Sequence, residues 1–554
     1  MKVLMLGGYG VFGGRLASLL ADLPQLELCI AGRDARKAKA FCAAFNGRAT
    51  ARPLMLDRAD IAAALAAHQP DLVVDASGPF QHYGEQRYRV IEACIAQKVN
   101  YLDFADAADF VFGVDRFDAA AKAAGVFVLS GVSSFPVLTA AVLHHMARSM
   151  EVVAVQGGIA PSPFAGVGLN VMRAVVGYAG EPVKLQRAGR QAHGVGLAES
   201  MRYTVAVPGR LPLRNILYSL VDVPDLQVIP PAYPGMTDIW MGAGPVPEVL
   251  HRVLNLLAKL RARFGLPSLV PLSRLFYAVL NAMKFGEHRG GMFVHAQGLR
   301  DGQPVVQSWH LLAEGDDGPY IPSMAIEALI RKRLAGNAPA PGARPGTQAL
   351  ELADYEPLFA NRAIYTGFRS EAAGGSIFQQ LLGSAFAALP PVVQQMHSDC
   401  AGMRRWAGTA DIRRGTSWAA ALVARVMGFP SAGKAVPVTV EVISRAGSER
   451  WTRHFGGKQF SSILSKGVGK NSYLLVERFG AISVALALLV EGDRLYLVPR
   501  RWSCLGIPLP QCLLPAGRSF ESSQNGAFLF DIEIAAPLLG LIVAYQGLLR
   551  QQPD

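Results

Sequence analysis

A chain of 554 residues exceeds what one hydrophobic core supports and points to about three domains. Hydrophobic residues make up 51% and charged residues 17%, which excludes a disordered or fibrous chain. The net charge of +12 comes from scattered Lys and Arg, with no long basic run, zinc-finger spacing or RNA-binding signature, so no nucleic-acid partner is expected.

Six cysteines without a C-x-x-C pair do not make a disulfide framework and point to a reducing cytoplasm. The N-terminal apolar stretch is broken at once by glycines, unlike a signal peptide. No apolar window reaches the length of a membrane span: Ala481 to Val490 is too short, and Glu533 and Pro537 interrupt Ile532 to Leu549. A soluble or membrane-peripheral protein is expected.

In chain order, Lys2 to Leu6 reads as a strand, Gly7 to Gly14 as a glycine-rich turn, and Arg15 to Leu20 as the body of a helix. Gly8, Gly10 and Gly13 fit the dinucleotide-binding fingerprint in its required strand-turn-helix context. Gly8 would permit the tight turn, Gly10 the approach of a pyrophosphate, and Gly13 close packing of the helix, whose first residues Val11 and Phe12 would offer N–H groups to phosphate. A second strand, Leu26 to Ala31, ends in Gly32-Arg33-Asp34. An acidic residue at this point holds the ribose of NAD, whereas arginine accommodates the 2′-phosphate of NADP. Arg33 therefore predicts NADP, against the alternative of a solvated charge opening the next helix, and Asp34 is both a cofactor contact and the candidate cap of that helix. Leu54 to Leu56 is a short strand, and Asp57 at its end either touches the adenine side or caps the following helix, which runs to about His68. The apolar strand from Asp71 runs into the turn Ser77-Gly78-Pro79-Phe80, the way a parallel strand delivers backbone to a ligand. A helix Val90 to Gln97, a strand Val99 to Asp103, a helix Val114 to Ala124 and a strand Val126 to Leu129 follow.

Gly8/Gly10/Gly13, Ala31-Gly32-Arg33, Asp75 to Phe80 with Tyr83-Gly84 and Ala93-Cys94, Tyr101-x-Asp103 and Gly131-x-Ser133-Ser134-x-Pro136 together resemble the saccharopine dehydrogenase-like family of NADP-binding proteins. The resemblance implies a Rossmann domain holding NADP(H), with Ser77, Gly78, Pro79 and Phe80 near the nicotinamide ribose. Asp103 is followed by Phe-Ala-Asp-Ala-Ala-Asp where the family often carries a Gly-Glu pair, which sets saccharopine itself aside as substrate.

Farther on, a strand Val152 to Gly157, a helix Gly168 to Tyr178, an amphipathic helix Glu248 to Phe264, and strands Gly291 to Gly298 and Val305 to Leu312 around a hairpin turn resemble the second α/β domain of that family, with Met324 to Leu334 as the helix returning to the Rossmann domain. Hydride transfer needs one group to manage a proton. Tyr83, His82 and Asp103 are the catalytic candidates, with His295 and His310 from the second domain. For each histidine a structural role competes, and for Tyr83 packing does. The pair His144-His145 lacks further ligands at usable spacing, so no metal is expected.

The stretch Gly336 to Gly346 has the Pro, Gly and Ala content of a domain boundary. Helices over Ile377 to Leu389 and Trp418 to Met427, separated by an arginine-rich stretch, precede strands at 436–444, 449–455, 472–478, 481–491, 494–499 and 528–534. Trp451-Thr452-Arg453, Glu477-Arg478-Phe479-Gly480 and Phe530-Asp531 through Gly547 resemble an uncharacterised domain family fused to such NADP-binding domains. Trp451, Arg453, Glu477 and Arg478 line an acid- or lipid-binding cavity or form a cross-strand ladder.

The expected architecture is thus α/β. A Rossmann domain (1–135) is followed by an α+β substrate and dimerisation domain (136–345), a linker (346–375) and a β-rich domain of antiparallel sheet plus helices (376–554). The expected function is an NADP(H)-dependent oxidoreductase acting on an apolar small molecule, with a lipid enoyl or keto compound favoured because some relatives in the resembling group reduce lipids. A non-catalytic NADP sensor or scaffold and a lipid-binding module with a vestigial nucleotide domain are the alternatives, and a homodimer with peripheral membrane contact is compatible with each.

Overall fold

In a computed structural model, described for residues 1–166, 168–245, 247–370, 374–399, 402–445 and 447–553, the chain forms two compact units. One consists of Met1–Tyr203 and Ile216–Thr366, the other of Thr204–Asn215 and Gly367–Asp554.

The first unit opens with strands β1 (Lys2–Leu6), β2 (Glu27–Gly32), β3 (Thr50–Met55), β4 (Leu72–Asp75), β5 (Asn100–Asp103) and β6 (Phe127–Ser130). With β7 (Gly342–Pro345) they make a parallel sheet in the order β7-β6-β5-β4-β1-β2-β3. Val3, Leu4 and Met5 on β1 and Val73 and Val74 on β4 are fully buried, as expected where helices cover both faces of a parallel sheet. The strand order reverses between β1 and β4, and a crevice opens there at the carboxyl edge. The helix expected over Val114 to Ala124 is regular only from Asp118, after a tight turn at Gly113–Phe117.

A second, mixed sheet runs in the order Ser200–Tyr203, Ile216–Leu220, Asp238–Ala243, Glu151–Ala160, Arg289–Arg300, Gln303–Glu314, Ile364–Ser370. The expected hairpin turns on Asp301 (φ 51°) and Gly302 (φ 74°), the left-handed pair that suits a two-residue connection. The returning helix spans Ile321–Leu334, and its Arg331 Nη2 donates to Leu19 O (3.1 Å) and pairs with Asp22 (2.8 Å).

Within the stretch expected as a linker (346–375), residues 352–360 and 364–370 form a helix and a strand. The helix Leu352–Ala360 is held by a capping box between Glu351 and Asp354, and the strand Ile364–Ser370 follows. The proline-rich segment before it is no boundary either, because it delivers β7 to the edge of the Rossmann sheet beside β6.

The second unit is the antiparallel sheet with helices that the sequence predicts, and its strands close on themselves. Neighbours run Ile482–Glu491, Leu475–Phe479, Lys458–Lys466, Ser448–Phe455, Gly433–Arg445, Met403–Arg414, Gly540–Gln551, Ala527–Ala536, Phe520–Gln524 and Arg494–Cys504. The last of these pairs back on the first, from Ile482↔Cys504 to Glu491↔Arg494, and completes a ten-stranded barrel. The arginine-rich stretch expected between helices is the barrel strand Met403–Arg414. Its alternation was masked because Arg404 points inward, where Nη1 donates to Met396 O (2.8 Å). Thr204–Asn215 belongs to this unit: Val490 N–H donates to Gly209 O (2.9 Å), and Arg369 Nε to Ala206 O (2.6 Å).

Asp103 ends β5 in full burial and fastens two loops. Its carboxylate accepts from Ala105 N (2.9 Å), Gly131 N (2.7 Å) and Ser130 Oγ (2.8 Å). Replacing it by Leu strands these donors. Asp103→Leu should therefore lower stability by roughly 2–5 kcal/mol in urea unfolding, and Asp103→Asn by markedly less, since the amide oxygen still accepts. Equal losses for the two variants would contradict this role.

Candidate functional site

Between β1 and the helix α1 (Val11–Leu19) the chain must reverse in a few residues. Gly7 takes φ +71°, and a Cβ there would meet Ala76 O at 2.6 Å. The tight turn expected at Gly8 therefore falls on Gly7. Gly8 instead allows close packing on the sheet, where a Cβ would lie 2.9 Å from Met5 O. At Gly13 a Cβ would come within 2.5 Å of Gly7 O, so α1 lies directly on the turn. Gly10 caps α1 without a side-chain hydrogen bond, and the first turn holds no acidic residue. The N–H groups of Val11, Phe12 and Gly13 thus begin a helix that nothing within it satisfies, a ready site for phosphate.

A cleft of about 820 Å³ extends from this turn along the carboxyl edge of the sheet. Arg33 stands exposed on its wall at the end of β2. Asp34 is not on the wall. Its carboxylate accepts from Arg36 N (2.9 Å) and Lys37 N (3.2 Å) and caps α2 (Ala35–Ala44). Asp57 caps the next turn through Ala59 N (2.9 Å) while still lining the cleft. Tyr9, not anticipated from the fingerprint, lays its ring over Gly32 and accepts at its hydroxyl from Asp34 N (3.1 Å).

Ser77, Gly78 and Pro79 line the cleft, and Gly78 O accepts from Asn170 Nδ2 (3.3 Å). Phe80 is buried, its ring 5.0 Å from that of Tyr83 and 5.2 Å from that of Phe110. Val11 is exposed at the helix start, and Phe12 stacks on Phe104 with centroids 5.7 Å apart.

Of the three catalytic candidates, His82 is exposed on the cleft wall, Tyr83 lines it half-buried, and Asp103 does not reach it. Behind Tyr83 lies a polar chain. Its hydroxyl is 2.8 Å from Ser77 Oγ, which is 2.5 Å from Oδ1 of the fully buried Asp75. Ser77 N also donates to Oδ1 (3.0 Å), whereas Oδ2 has only Arg58 Nε at 3.7 Å. The Arg58 guanidinium lies 3.7 Å from the centre of the Tyr83 ring. Asp75 and Asp103 are register partners on adjacent strands. Burial raises the proton affinity of both, bringing Asp103 to about 7, to which the neighbouring Asp75 charge adds. Burial also pushes the Tyr83 phenol well up, so it stays protonated. Asp75 and Arg58 carry this arrangement; the sequence marked Asp75 only as part of the resembling stretch, without a role, and did not mark Arg58. His295 and His310 sit on the second sheet and do not line the cleft, and His310 Nε2 contacts Ser308 Oγ (2.9 Å). Among the described residues no group of three or more His, Cys, Asp or Glu is placed to hold a metal, and no helix is long and apolar enough to cross a membrane.

The glycine cradle, the uncapped helix start and Arg33 together fit a nicotinamide dinucleotide. In comparisons with known proteins, residues 3–129 match the saccharopine dehydrogenase NADP binding domain, which supports an oxidoreductase with a nicotinamide nucleotide cofactor. Residues 389–549 match a domain of unknown function, DUF4166. Similar solved structures include apo saccharopine dehydrogenase (L-Glu forming) from Saccharomyces cerevisiae, with 14% identity and a TM-score of 0.47 over 67% of this chain and 100% of that one. Amine dehydrogenase from Mycobacterium smegmatis matches at 12% identity and a TM-score of 0.32, over 62% of this chain and 93% of that one. No curated protein matches the sequence. The chain thus joins a saccharopine dehydrogenase-like NADP-binding domain at its N-terminus to an uncharacterised domain at its C-terminus.

Proposed function

We propose that the first unit is an NADP(H)-dependent oxidoreductase acting on an apolar carbonyl or enoyl compound. The observation that carries this reading is one cleft shared by the uncapped start of α1, Arg33 and the Ser77–Tyr83 pair. When bound, the cofactor supplies or accepts the hydride. The N–H groups of Val11, Phe12 and Gly13 would hold the pyrophosphate, and the Arg33 guanidinium would pair with the 2′-phosphate. The Ser77–Pro79 turn would contact the nicotinamide side of the cofactor. Phe12, Phe104, Phe135, Ile159, Val171 and Val223 give the cleft an apolar wall, beside the polar Asp106, Ser133, Ser134 and Asn170, and that wall favours an aliphatic substrate such as a lipid enoyl or keto compound. Cys29, Cys42, Cys94, Cys504 and Cys512 are free thiols, which supports a reducing cytoplasm; Cys400 lies outside the described residues.

Reduction of a C=O or C=C bond needs a proton to follow the hydride. Asp75, Ser77 and Tyr83 form a chain that can carry one. With Asp75 protonated, Asp75 donates to Ser77, Ser77 donates to Tyr83, and the Tyr83 hydroxyl donates into the cleft. With Asp75 ionised the chain reverses, and Tyr83 donates to Ser77. Burial raises Asp75 above the usual carboxylate range, so the donating form extends toward higher pH.

Gly10→Val should abolish binding of NADPH and NADH alike, because its Cβ would lie 2.9 Å from Gly7 O and its methyls would fill the phosphate cradle. Unchanged affinity in a fluorescence titration would refute the site. Arg33→Asp should weaken NADPH by about a hundredfold or more and leave NADH nearly unaffected; equal loss for both would show that Arg33 does not read the 2′-phosphate.

For an aliphatic enal or ketone, Tyr83→Phe should lower kcat by about 10²–10⁴ and leave NADPH affinity unchanged. The wild-type reduction rate should fall as pH rises through the elevated Asp75 pKa, because the protonated form is the donor, and Asp75→Asn should remove that fall. A pH profile identical in wild type and Asp75→Asn would overturn the relay.

A further inference from the structure

We propose that the interior of the C-terminal barrel is a binding site for one long-chain aliphatic molecule bearing an uncharged hydrogen-bonding group, such as an alcohol, ketone or ester. The site lies wholly within the second unit and does not depend on the nucleotide cleft.

Side chains just fill a barrel of about eight strands, and wider barrels enclose space. This barrel has ten strands, and it encloses a cavity of about 430 Å³. That volume lies within the range of about 300–1,000 Å³ typical of small-molecule sites. Protein interiors hold few voids larger than a water molecule, so a space this large is no ordinary packing defect. One part of the wall is tightly packed: Val440, Trp451 and Phe528 line it and are almost wholly buried. Elsewhere Phe479, Val484, Leu497, Ile532 and Ile534 line the same cavity and pack against the core, yet remain only half-buried. Apolar side chains held on a rigid closed wall but left half-buried are complementary to an aliphatic chain.

The polar groups on the wall select against charge. Its ionisable side chains, among the described residues, are Arg453, Glu477, Glu521 and Glu533, apart from the phenol of Tyr545. Arg453 is already engaged, with Nη1 on Ser462 Oγ (2.8 Å) and Nη2 on Glu477 Oε1 (3.2 Å). Glu521 contacts His397 Nε2 (2.5 Å). A fatty carboxylate would meet no uncommitted cation and an excess of carboxylates. Tyr545 offers its hydroxyl as donor to a neutral oxygen, since burial raises its phenol to about 12 and keeps it protonated.

The full chain should bind the neutral dye N-phenyl-1-naphthylamine saturably, at one site, with blue-shifted emission. Hexadecanol should displace the dye, and palmitate should not. Val484→Trp puts bulk into the lumen without adding charge and should weaken dye binding by about tenfold or more, while NADPH affinity and the circular dichroism spectrum stay unchanged. Leu497→Arg, which buries a charge in the same lumen, should act alike. Leu422→Ser, on the exposed outer side of the helix Trp418–Val426, should leave dye binding as it is. Non-saturable binding, or a folded Val484→Trp that binds dye like wild type, would overturn the site. Equal displacement by palmitate and hexadecanol would overturn the uncharged head group.

Discussion

The nucleotide cleft depends on two buried aspartates placed side by side. Asp75 and Asp103 end adjacent parallel strands in register, at a strand spacing of about 4.8 Å, and neither has access to water. Two such carboxylates cannot both hold full charge cheaply. The surroundings differ enough to divide the roles. Asp103 accepts from two backbone N–H groups and a hydroxyl, all of which favour its anion, and so serves as the fastening between the loops that follow β5 and β6. Asp75 keeps one oxygen without a hydrogen bond and turns the other to Ser77, so it is the carboxylate linked to the cleft. A structural demand on one strand thereby sets the chemistry available at the end of the next.

Local signals in the sequence located the cleft, and tertiary ones assigned its parts. The strand-turn-helix pattern and the glycine spacing mark Gly10 and Gly13 because each must pass close to backbone only a few residues away. Gly7 escaped notice because its constraint comes from Ala76, which is remote in the chain. Asp34 and Asp57 combine the chemistry of a cap with that of a cofactor contact; the observed N–H partners establish both caps, and Asp57 also lines the cleft. Arg58 reads as one more surface cation beside a cap, yet it folds back over the Tyr83 ring and toward Asp75. Asp103 is an acid at a carboxyl edge, and its burial cannot be read from spacing.

The C-terminal unit was legible strand by strand where residues alternate cleanly, as in 436–444 and 449–455. Alternation carries no information about which strands meet. Closure rests on the pairing of Ile482–Glu491 with Arg494–Cys504 and on pairings between segments far apart, such as Met403–Arg414 with Gly540–Gln551. Some members were also disguised. Lys458–Lys466 places Ser461 and Ser462 side by side and so breaks the alternation, while Gly540–Gln551 is apolar without alternation from Leu541 to Tyr545.

The return of Gly342–Pro345 to the edge of the Rossmann sheet bears on how the chain is made. When the first six strands have left the ribosome, β6 still presents its outer backbone groups, and its partner is more than two hundred residues from being synthesised. The nascent chain must carry an open sheet edge through translation of the whole second sheet. A fragment ending after β6 would keep that edge for good, so the nucleotide-binding domain is complete only as part of a polypeptide that extends through β7.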